Sequence, residues 1–283
     1  GGGGDIVADW TQFDEDNSTF AHNELDICFT ATSTSTTTTA ATTTTTTNAP
    51  PSLTTVTPPP ASPLRHRIHV GGGVAVSDHG DGRQVVTGTR LYRATLAFLA
   101  WLLRPDQPHG VDFSACDHIV ELGCGSAVVG SVLTHIYQNS VVTVTDNEDA
   151  VLNLAESNHN GRCVRLDWRQ CSASAGGDGK AIRSVVGDNG EFGKPDVIVG
   201  AELVYTTTTT SLLIEALYSL CRWSDDNDHN YKQSYTDVFL AYERRTGVEH
   251  RTLLRLLDDD FNIVSITTVV PPWRRGGGDS GGG

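Results

Sequence analysis

The sequence predicts a doubly wound α/β domain with a mostly parallel sheet. Predicted strands and helices alternate between about residue 65 and residue 270. The predicted strands are continuous apolar runs, such as "DVIVGA" and "VFLAY", rather than alternations of apolar and polar residues. Strands of this kind are covered on both faces, and a strand–helix alternation joins parallel strands through crossover helices. We therefore expect one sheet with helices on both of its faces.

The predicted elements can be placed in order along the chain. The runs "RIHV" and "VAVSD" flank Gly71–Gly73 and predict an N-terminal β-hairpin. The run "RLYRATLAFLAWLL" predicts a helix that stops before Pro105, because its large apolar residues recur every three or four positions. The later predicted strands are His118–Leu122, Val141–Asp146, "CVRL", "DVIVGA", "VFLAY" and "FNIVSITTVV". Helices separate them except between "CVRL" and "DVIVGA", where residues 169–194 are polar and glycine-rich and predict an insertion.

Composition divides the chain into a folded part and flanking segments. Residues 1–29 are acidic and carry several large apolar residues, so this segment either docks on the folded domain or binds a partner. Residues 30–64 are nearly all Thr, Ser, Ala and Pro. Such a segment predicts a disordered linker, because it cannot bury enough apolar surface to offset the entropy of ordering. We expect the folded domain over residues 65–270 and a disordered tail over residues 271–283.

Charge and cysteine usage exclude several classes of partner. The chain has 34 acidic and 20 basic residues, a formal net charge of −14, and such a chain repels nucleic-acid phosphates. No run approaches the ~20 apolar residues of a membrane span. The six cysteines show no zinc-like spacing and predict reduced thiols in an intracellular protein. We expect a monomer in the cytoplasm or nucleus, with neither nucleic acid, membrane nor metal as partner.

The loop within "VELGCGSAVVG" (Val120–Gly130) predicts a ligand site. Gly123 and Gly125 match the first two glycines of a dinucleotide fingerprint, but Val128 occupies the third position. Glu121 precedes these glycines, where an acid would repel a pyrophosphate and could pair with a cationic ligand. The loop thus disfavours NAD and favours a nucleoside with a positive group. A tight strand-to-helix turn without any ligand explains the loop alone equally well.

Polar and aromatic residues follow the next two strands as well. Asp146 can accept both ribose hydroxyls, with Asn147 able to share that role, or it can cap the following helix. Trp168 can stack on an adenine, with Asp167 near the exocyclic amine, or it can fill the core. Ligands of parallel sheets bind at the carboxyl ends of the strands, so we expect these residues at one edge of the sheet.

These motifs together resemble those of the seven-strand, S-adenosylmethionine-dependent protein methyltransferases, in the branch that modifies lysine in non-histone proteins (methyltransferase family 16). The resemblance covers residues 65–270 apart from the insertion. It rests on "TGTRLYRATLAFLAWLL", "VELGCGSAVVG", "VTVTDNEDAVLNLAESN", "RLDW", "PDVIVGAELVY" and "LAYERRTG". "LDW" together with "GAxxVY" is specific to this branch, whereas the glycine loop fits any methyltransferase of the class. The resemblance implies a Rossmann-like fold, S-adenosylmethionine as cofactor and a lysine-bearing protein as substrate.

The resemblance also implies roles for individual residues. The loop Gly123-Cys124-Gly125 would approach the methionine part of the cofactor, and Asp146 would hold its ribose. Trp168 would lie near the adenine, and Ala201 would line the pocket through its backbone.

The implied substrate-facing pair is Glu202 and Tyr205. They stand where the family has Asp-x-x-Tyr, and glutamate is one methylene longer than aspartate. Tyr92 stands where the family usually has a Trp that covers the cofactor. "YERRTG", residues 242–247, is expected at the same edge and can border the substrate channel. After Val270 the antiparallel final strand of the family is not apparent in the sequence.

Two other functions stay open at this point. A methyltransferase of a small molecule or of another side chain would share the cofactor half of the site. A non-catalytic binding module with a degenerate methyltransferase fold would explain Tyr92 and the unusual C-terminal part.

Overall fold

The structure is a computed structural model. It describes residues 4–8, 13–14, 19–20, 24–31, 64–69, 75–78, 83–86, 88, 91–104, 109–171, 180–187, 190–223, 235–243 and 247–266. The predicted tail over residues 271–283 lies outside this part, as does the predicted linker over residues 30–64 except for residues 30, 31 and 64.

The strands and helices have the following bounds. The strands before the central sheet are β1 (Gly4–Ala8), β2 (Phe13–Asp14), β3 (Thr19–Phe20), β4 (Glu24–Ala31), β5 (Leu64–His69), β6 (Ala75–Asp78) and β7 (Arg83–Val86). Those of the central sheet are β8 (His118–Leu122), β9 (Val141–Asp146), β10 (Arg162–Arg165), β11 (Val197–Ala201) and β12 (Asp237–Ala241). The helices are α1 (Arg93–Leu102), α2 (Val128–Ile136), α3 (Asp149–Asn158), α4 (Lys180–Val186), α5 (Thr207–Cys221) and α6 (Gly247–Asp260). Among the described residues, Phe113–Ala115 and Trp168–Gln170 form short 3-10 helices.

The central sheet is parallel and has the strand order β10-β9-β8-β11-β12. The chain passes outward from β8 to β10 and then returns to β11 on the other side of β8. Loops that follow β8 and β11 therefore lead to opposite halves of the sheet, which opens a crevice at the carboxyl ends of these two strands. The predicted α/β class and parallel sheet are confirmed, with these five strands in the described part of the chain.

Side chains of the central strands alternate between two apolar cores. Ile119, Val197 and Val199 pack with residues of α1, α2 and α3 on one face. Val120 and Ile198 pack with residues of α4, α5 and α6 on the other face. Successive residues of a strand face opposite sides of the sheet. Because helices cover both sides, all positions of a strand can be apolar, which explains the continuous apolar runs in the sequence.

The predicted N-terminal hairpin across Gly71–Gly73 is wrong in its pairing. β5 pairs antiparallel with β4, and β6 pairs antiparallel with β7. The pattern of apolar residues predicts where strands form, but it does not specify which strands pair. The residues between β6 and β7 are His-Gly-Asp-Gly, and Asp-Gly is a strong hairpin signal that the prediction overlooked.

The predicted last strand, "FNIVSITTVV", does not form over residues 262–266. Val264 is 87% exposed and Ile266 is 65% exposed, and β12 is an edge strand in the described part of the sheet. Strand propensity reflects packing against neighbours, so a β-branched run without a partner strand does not become a strand. Residues 267–270 of this prediction lie outside the described part.

The predicted insertion over residues 169–194 contains helix α4. Ile182, Val185 and Val186 of this helix are buried in the core that α5 and α6 share. Their spacing of three and four positions is a helical pattern, but the surrounding glycines and polar residues concealed it in so short a segment.

Arg162 of β10 attaches α4 to the sheet. Its guanidinium donates hydrogen bonds to the carbonyl oxygens of Val185 at 2.7 Å and Ser184 at 2.9 Å. It also donates to Thr143 Oγ1 at 3.2 Å and lies 4.0 Å from the centre of the Phe192 ring. The last carbonyls of a helix have no partner within the helix, so the arginine supplies the missing donors.

Replacing Arg162 with alanine is expected to lower the free energy of unfolding by about 2–3 kcal/mol, because half-buried carbonyls lose charged donors. Urea unfolding followed by circular dichroism measures this change. Arg165→Ala is the matched control, since Arg165 lies on the same strand and makes an exposed ion pair with Asp149 at 3.4 Å. Such pairs contribute about 0–1 kcal/mol. Equal losses in the two variants would contradict the role of Arg162.

In the described part of the chain, no helix combines the length and the apolar character needed to cross a bilayer. The longest described helix, α5, has 15 residues.

Candidate functional site

The glycine loop between β8 and α2 turns sharply at the carboxyl edge of the sheet. Gly123 and Gly125 have φ values of 55° and 56°, in the left-handed region that favours glycine. The Cys124 N–H donates to the Thr145 carbonyl at 2.8 Å, and the Ala127 N–H donates to the Cys124 carbonyl at 2.8 Å. The loop is therefore held against the end of β9 by its own backbone.

Two residues that the sequence analysis did not identify pack against this loop. A Cβ atom at Gly125 would lie 2.6 Å from the Gly88 carbonyl oxygen. A Cβ atom at Gly123 would lie 2.5 Å from Leu203 Cδ2 and 3.6 Å from Trp168 Cζ2. Both residues belong to quoted motifs, Gly88 to "TGTR" and Leu203 to "PDVIVGAELVY", and this membership was the available signal.

Glu121 does not present its carboxylate where a cationic ligand was predicted. The residue is 3% exposed, and its Oε2 accepts a hydrogen bond from the Gly130 N–H at 2.7 Å. Burial raises the pKa of the Glu121 carboxyl to about 8; the Gly130 bond lowers it, and the nearby Asp146 charge raises it. The Glu121 carboxylate therefore holds α2 in place next to the glycine loop.

The raised pKa of Glu121 makes stability depend on pH. Between the unfolded value of 4.5 and the folded value of about 8, the folded state binds the extra proton. Stability therefore falls as pH rises through this window and levels off above it. We compare the free energy of unfolding of Glu121→Gln with that of the natural protein. We expect the variant's value minus the natural protein's to rise by at least about 1 kcal/mol from about pH 5 to pH 8.

Urea unfolding at a series of pH values tests this expectation. Burial lowers the pKa of His118 from its unfolded value of 6.5 to about 4. This residue therefore makes the protein less stable as pH falls below 6.5, which is opposite to the effect of Glu121. Both proteins contain His118, so its contribution cancels in the difference. A difference that does not change with pH would show that Glu121 is not buried in this way.

Asp146 lies directly beside the glycine loop. Its Oδ2 accepts from the Gly125 N–H at 3.2 Å, and its Oδ1 accepts from the N–H groups of Asn147 at 2.8 Å and Glu148 at 3.2 Å. Burial raises the pKa of the Asp146 carboxyl, and these three backbone bonds lower it. The N-cap of α3 is Glu148, and Asp146 Oδ1 closes the turn that leads into this helix. Asn147 is exposed next to it.

Trp168 and Asp167 follow β10 but have different surroundings. Trp168 is half-buried, packs against the core of α4, α5 and α6, and lies next to Gly123. Asp167 accepts from Arg169 Nε at 2.9 and 3.0 Å and from Arg169 Nη2 at 2.7 Å. Hydrogen bonds from Arg169 lower the pKa of the Asp167 carboxyl. Both Asp167 oxygens are thus engaged by Arg169, so the predicted contact with an adenine amine would compete with that ion pair.

The end of β11 carries the predicted substrate-facing pair. Ala201 is half-buried and pairs with Ala241 of β12. Glu202 has a left-handed φ of 59° and is 4% exposed, whereas Tyr205 is 39% exposed. Of the two, only Tyr205 presents a large part of its surface to solvent.

Tyr92 caps the N-terminal end of α1 through its backbone, with φ −97° and ψ 153°. Its side chain is half-buried and makes no capping hydrogen bond. Tyr92 follows Gly88 by four residues in the sequence, and the Gly88 carbonyl packs against Gly125.

The carboxylate and the indole at this edge of the sheet fit the ribose and the base of a nucleoside. Leu203 and the Gly88 carbonyl occupy the space that a Cβ atom would need at Gly123 and Gly125, so packing requires glycine at both positions. Asp146 presents a carboxylate beside this loop, as does Trp168 its indole, and a carboxylate at this position can accept ribose hydroxyls. Within the described residues, no group of three or more His, Cys, Asp and Glu side chains could hold a metal ion.

The parallel sheet and the glycine loop after β8 define a Rossmann-like α/β protein. A sequence model of the family "Lysine methyltransferase" matches residues 77–257, which is more than half of the chain. The protein therefore belongs to the lysine methyltransferase family, whose methyl donor is S-adenosylmethionine. A comparison with curated proteins gives no match.

Several solved structures are similar to this chain at low identity. The human N-acetylserotonin methyltransferase is 16% identical over 41% of this chain and 29% of its own, with a TM-score of 0.28. The ribosomal protein L11 methylase from Lactobacillus delbrueckii subsp. bulgaricus is 16% identical over 59% of this chain and 66% of its own, with a TM-score of 0.33. The Methanococcus jannaschii fibrillarin is 13% identical over 70% of this chain and 79% of its own, with a TM-score of 0.38. The chain thus covers less than two thirds of the first two.

Proposed function

We propose that this protein transfers methyl groups from S-adenosylmethionine to a lysine side chain of a non-histone protein. The observation that carries the proposal is the family match over residues 77–257, together with a glycine loop and an exposed Tyr205 at one edge of the sheet. The formal net charge of −14 also favours a basic, lysine-bearing partner.

The chain's residues have separate tasks in this proposal. Asp146 holds the ribose, the backbone of Gly123–Gly125 lies against the methionine part, and Trp168 lies beside the adenine. The cofactor supplies a methyl group that its sulfonium already activates. The enzyme therefore mainly positions the two partners and excludes water. The accepting lysine nitrogen must be neutral when the methyl group arrives, and Tyr205 at the rim can orient it.

Incubation of the protein with a cell extract and radiolabelled S-adenosylmethionine tests the function. We expect label in a protein band, with the methyl group on a lysine by mass spectrometry, and no label with the Asp146→Ala variant. Label confined to small molecules would contradict a protein substrate. Failure of the natural protein to bind the cofactor in calorimetry would contradict methyl transfer itself and favour a binding module.

A further inference from the structure

We propose that Glu243, and not Glu202, receives the ammonium group of the substrate lysine, and that Glu202 is the residue that positions Glu243. This inference rests on the proposed function, because it concerns how the same site recognises a lysine. It changes the role that the sequence assigned to Glu202.

Glu202 is fixed to the neighbouring strand by two hydrogen bonds. Its backbone N–H donates to the Ala241 carbonyl at 2.7 Å, and its Oε1 accepts from the Glu243 N–H at 2.8 Å. With 4% of its surface exposed, its carboxylate is not at the surface that an incoming side chain would meet. Turning it outward would break the bond to Glu243 and leave that N–H without its acceptor.

The backbone of Glu202 also indicates a fixed conformation. Its φ of 59° is left-handed, which is unfavourable for a residue with a Cβ atom. Such strain persists where the surrounding structure imposes it, and it is found frequently at functional sites. The bonds to Ala241 at the end of β12 and to Glu243 beyond it help to hold this conformation.

These two bonds lie on either side of Tyr242, the first residue after β12. Ala241 and Glu243 flank Tyr242, whose hydroxyl is hydrogen-bonded to His250 Nδ1 of α6 at 2.5 Å. The segment from Ala241 to Glu243 is therefore held by β11 on one side and by α6 on the other. A segment held at several points presents its side chains from a defined position.

Glu243 is the exposed carboxylate on that segment. It lies two residues after the end of β12, at the same edge of the sheet as Tyr205, which follows β11. β11 and β12 are parallel neighbours in register, with Ala201 opposite Ala241, so both residues come from adjacent strand ends. A solvated acid can meet a solvated ammonium on binding and form a charge-assisted hydrogen bond. A buried acid that a backbone N–H already engages is the poorer partner.

A binding experiment separates the two glutamates. The probe is n-butylammonium, a mimic of the lysine side chain, added to the ¹⁵N-labelled full chain saturated with S-adenosylhomocysteine. Chemical shifts of amides near Tyr205 and Glu243 give the dissociation constant. We expect Glu243→Gln to weaken binding by about 10-fold, because it removes the charge of the acceptor. Glu156→Gln on α3 is the matched control, since it removes the charge of another exposed glutamate.

Two variants of Glu202 test its positioning role. The amide oxygen of Glu202→Gln can still accept from the Glu243 N–H, so binding should weaken by less than about 3-fold. Glu202→Ala removes that acceptor, and binding should weaken by about 10-fold. Rescue by the glutamine variant distinguishes positioning from direct recognition, because direct recognition of an ammonium requires the charge.

Three results would overturn the inference. These are unchanged binding in Glu243→Gln, loss of binding in Glu202→Gln comparable to that in Glu202→Ala, and no saturable binding to the natural protein. Failure of the proposed function has a different signature, namely butylammonium binding as described with no label on protein lysines in the extract experiment.

Discussion

Replacing Asp146 with alanine is expected to weaken the binding of S-adenosylmethionine by about 100-fold, because the ribose loses two charge-assisted hydrogen bonds. The effect has a second source in the protein. The Asp146 carboxylate accepts the N–H groups of Gly125, Asn147 and Glu148, so its removal also takes away one of the bonds between the glycine loop and the end of β9. Isothermal titration calorimetry measures the dissociation constant.

Asp146→Asn separates these two sources. The asparagine oxygen can still accept backbone N–H groups, but the side chain carries no charge and presents a donor to the ribose. We expect its affinity to fall between that of the natural protein and that of Asp146→Ala. Unchanged affinity in Asp146→Ala would remove the ribose assignment.

Replacing Gly130 with alanine is expected to lower the free energy of unfolding by about 2 kcal/mol. A Cβ atom at this position would meet Val144 Cγ1 and lie 2.7 Å from Glu121 Oε2. Val144 is fully buried, so it cannot move aside, and overpacking a core costs about 1–3 kcal/mol. The better helix propensity of alanine offsets up to about 1 kcal/mol of that cost. Thermal unfolding should show a midpoint lower by roughly 4–8 °C.

A double-mutant cycle with Val144→Ala is the control for Gly130. Removing the γ-carbons of Val144 makes room for the new methyl group, so Gly130→Ala should cost less in that background than alone. Equal costs in both backgrounds would show that the two positions do not contact each other, and that α2 lies further from β9.

The central strands were predictable because their signal is local. The predicted bounds of β8 (His118–Leu122) and β9 (Val141–Asp146) match the structure, since a buried strand of a parallel sheet is a short apolar run with polar residues at its ends. Pairing is not local, and the sequence therefore did not reveal that β5 pairs with β4. Partner strands determine whether an apolar run becomes a strand, which is why residues 262–266 did not follow the prediction.

In the candidate site, too, some features were predictable from the residue types and others depended on neighbouring strands. Gly123, Gly125 and Asp146 were recognisable because the residue types themselves are required, by a left-handed φ or by a carboxylate at a strand end. The direction in which an acid points after a strand depends on the backbone conformation and on neighbouring strands. For this reason the sequence did not reveal that the Glu121 side chain bonds to Gly130, or that the Glu202 side chain bonds to Glu243.

The approach of Gly88 to Gly125 has a consequence for shortened versions of the protein. Gly88 precedes α1 and every strand of the central sheet, yet its carbonyl covers one flank of the bend where the methyl donor is expected to lie. A protein trimmed to begin at α1 would lose Leu91 but retain the rest of both apolar cores. It would also lack the Gly88 carbonyl against the glycine loop, so intact secondary structure in such a fragment is no guide to whether it holds the donor.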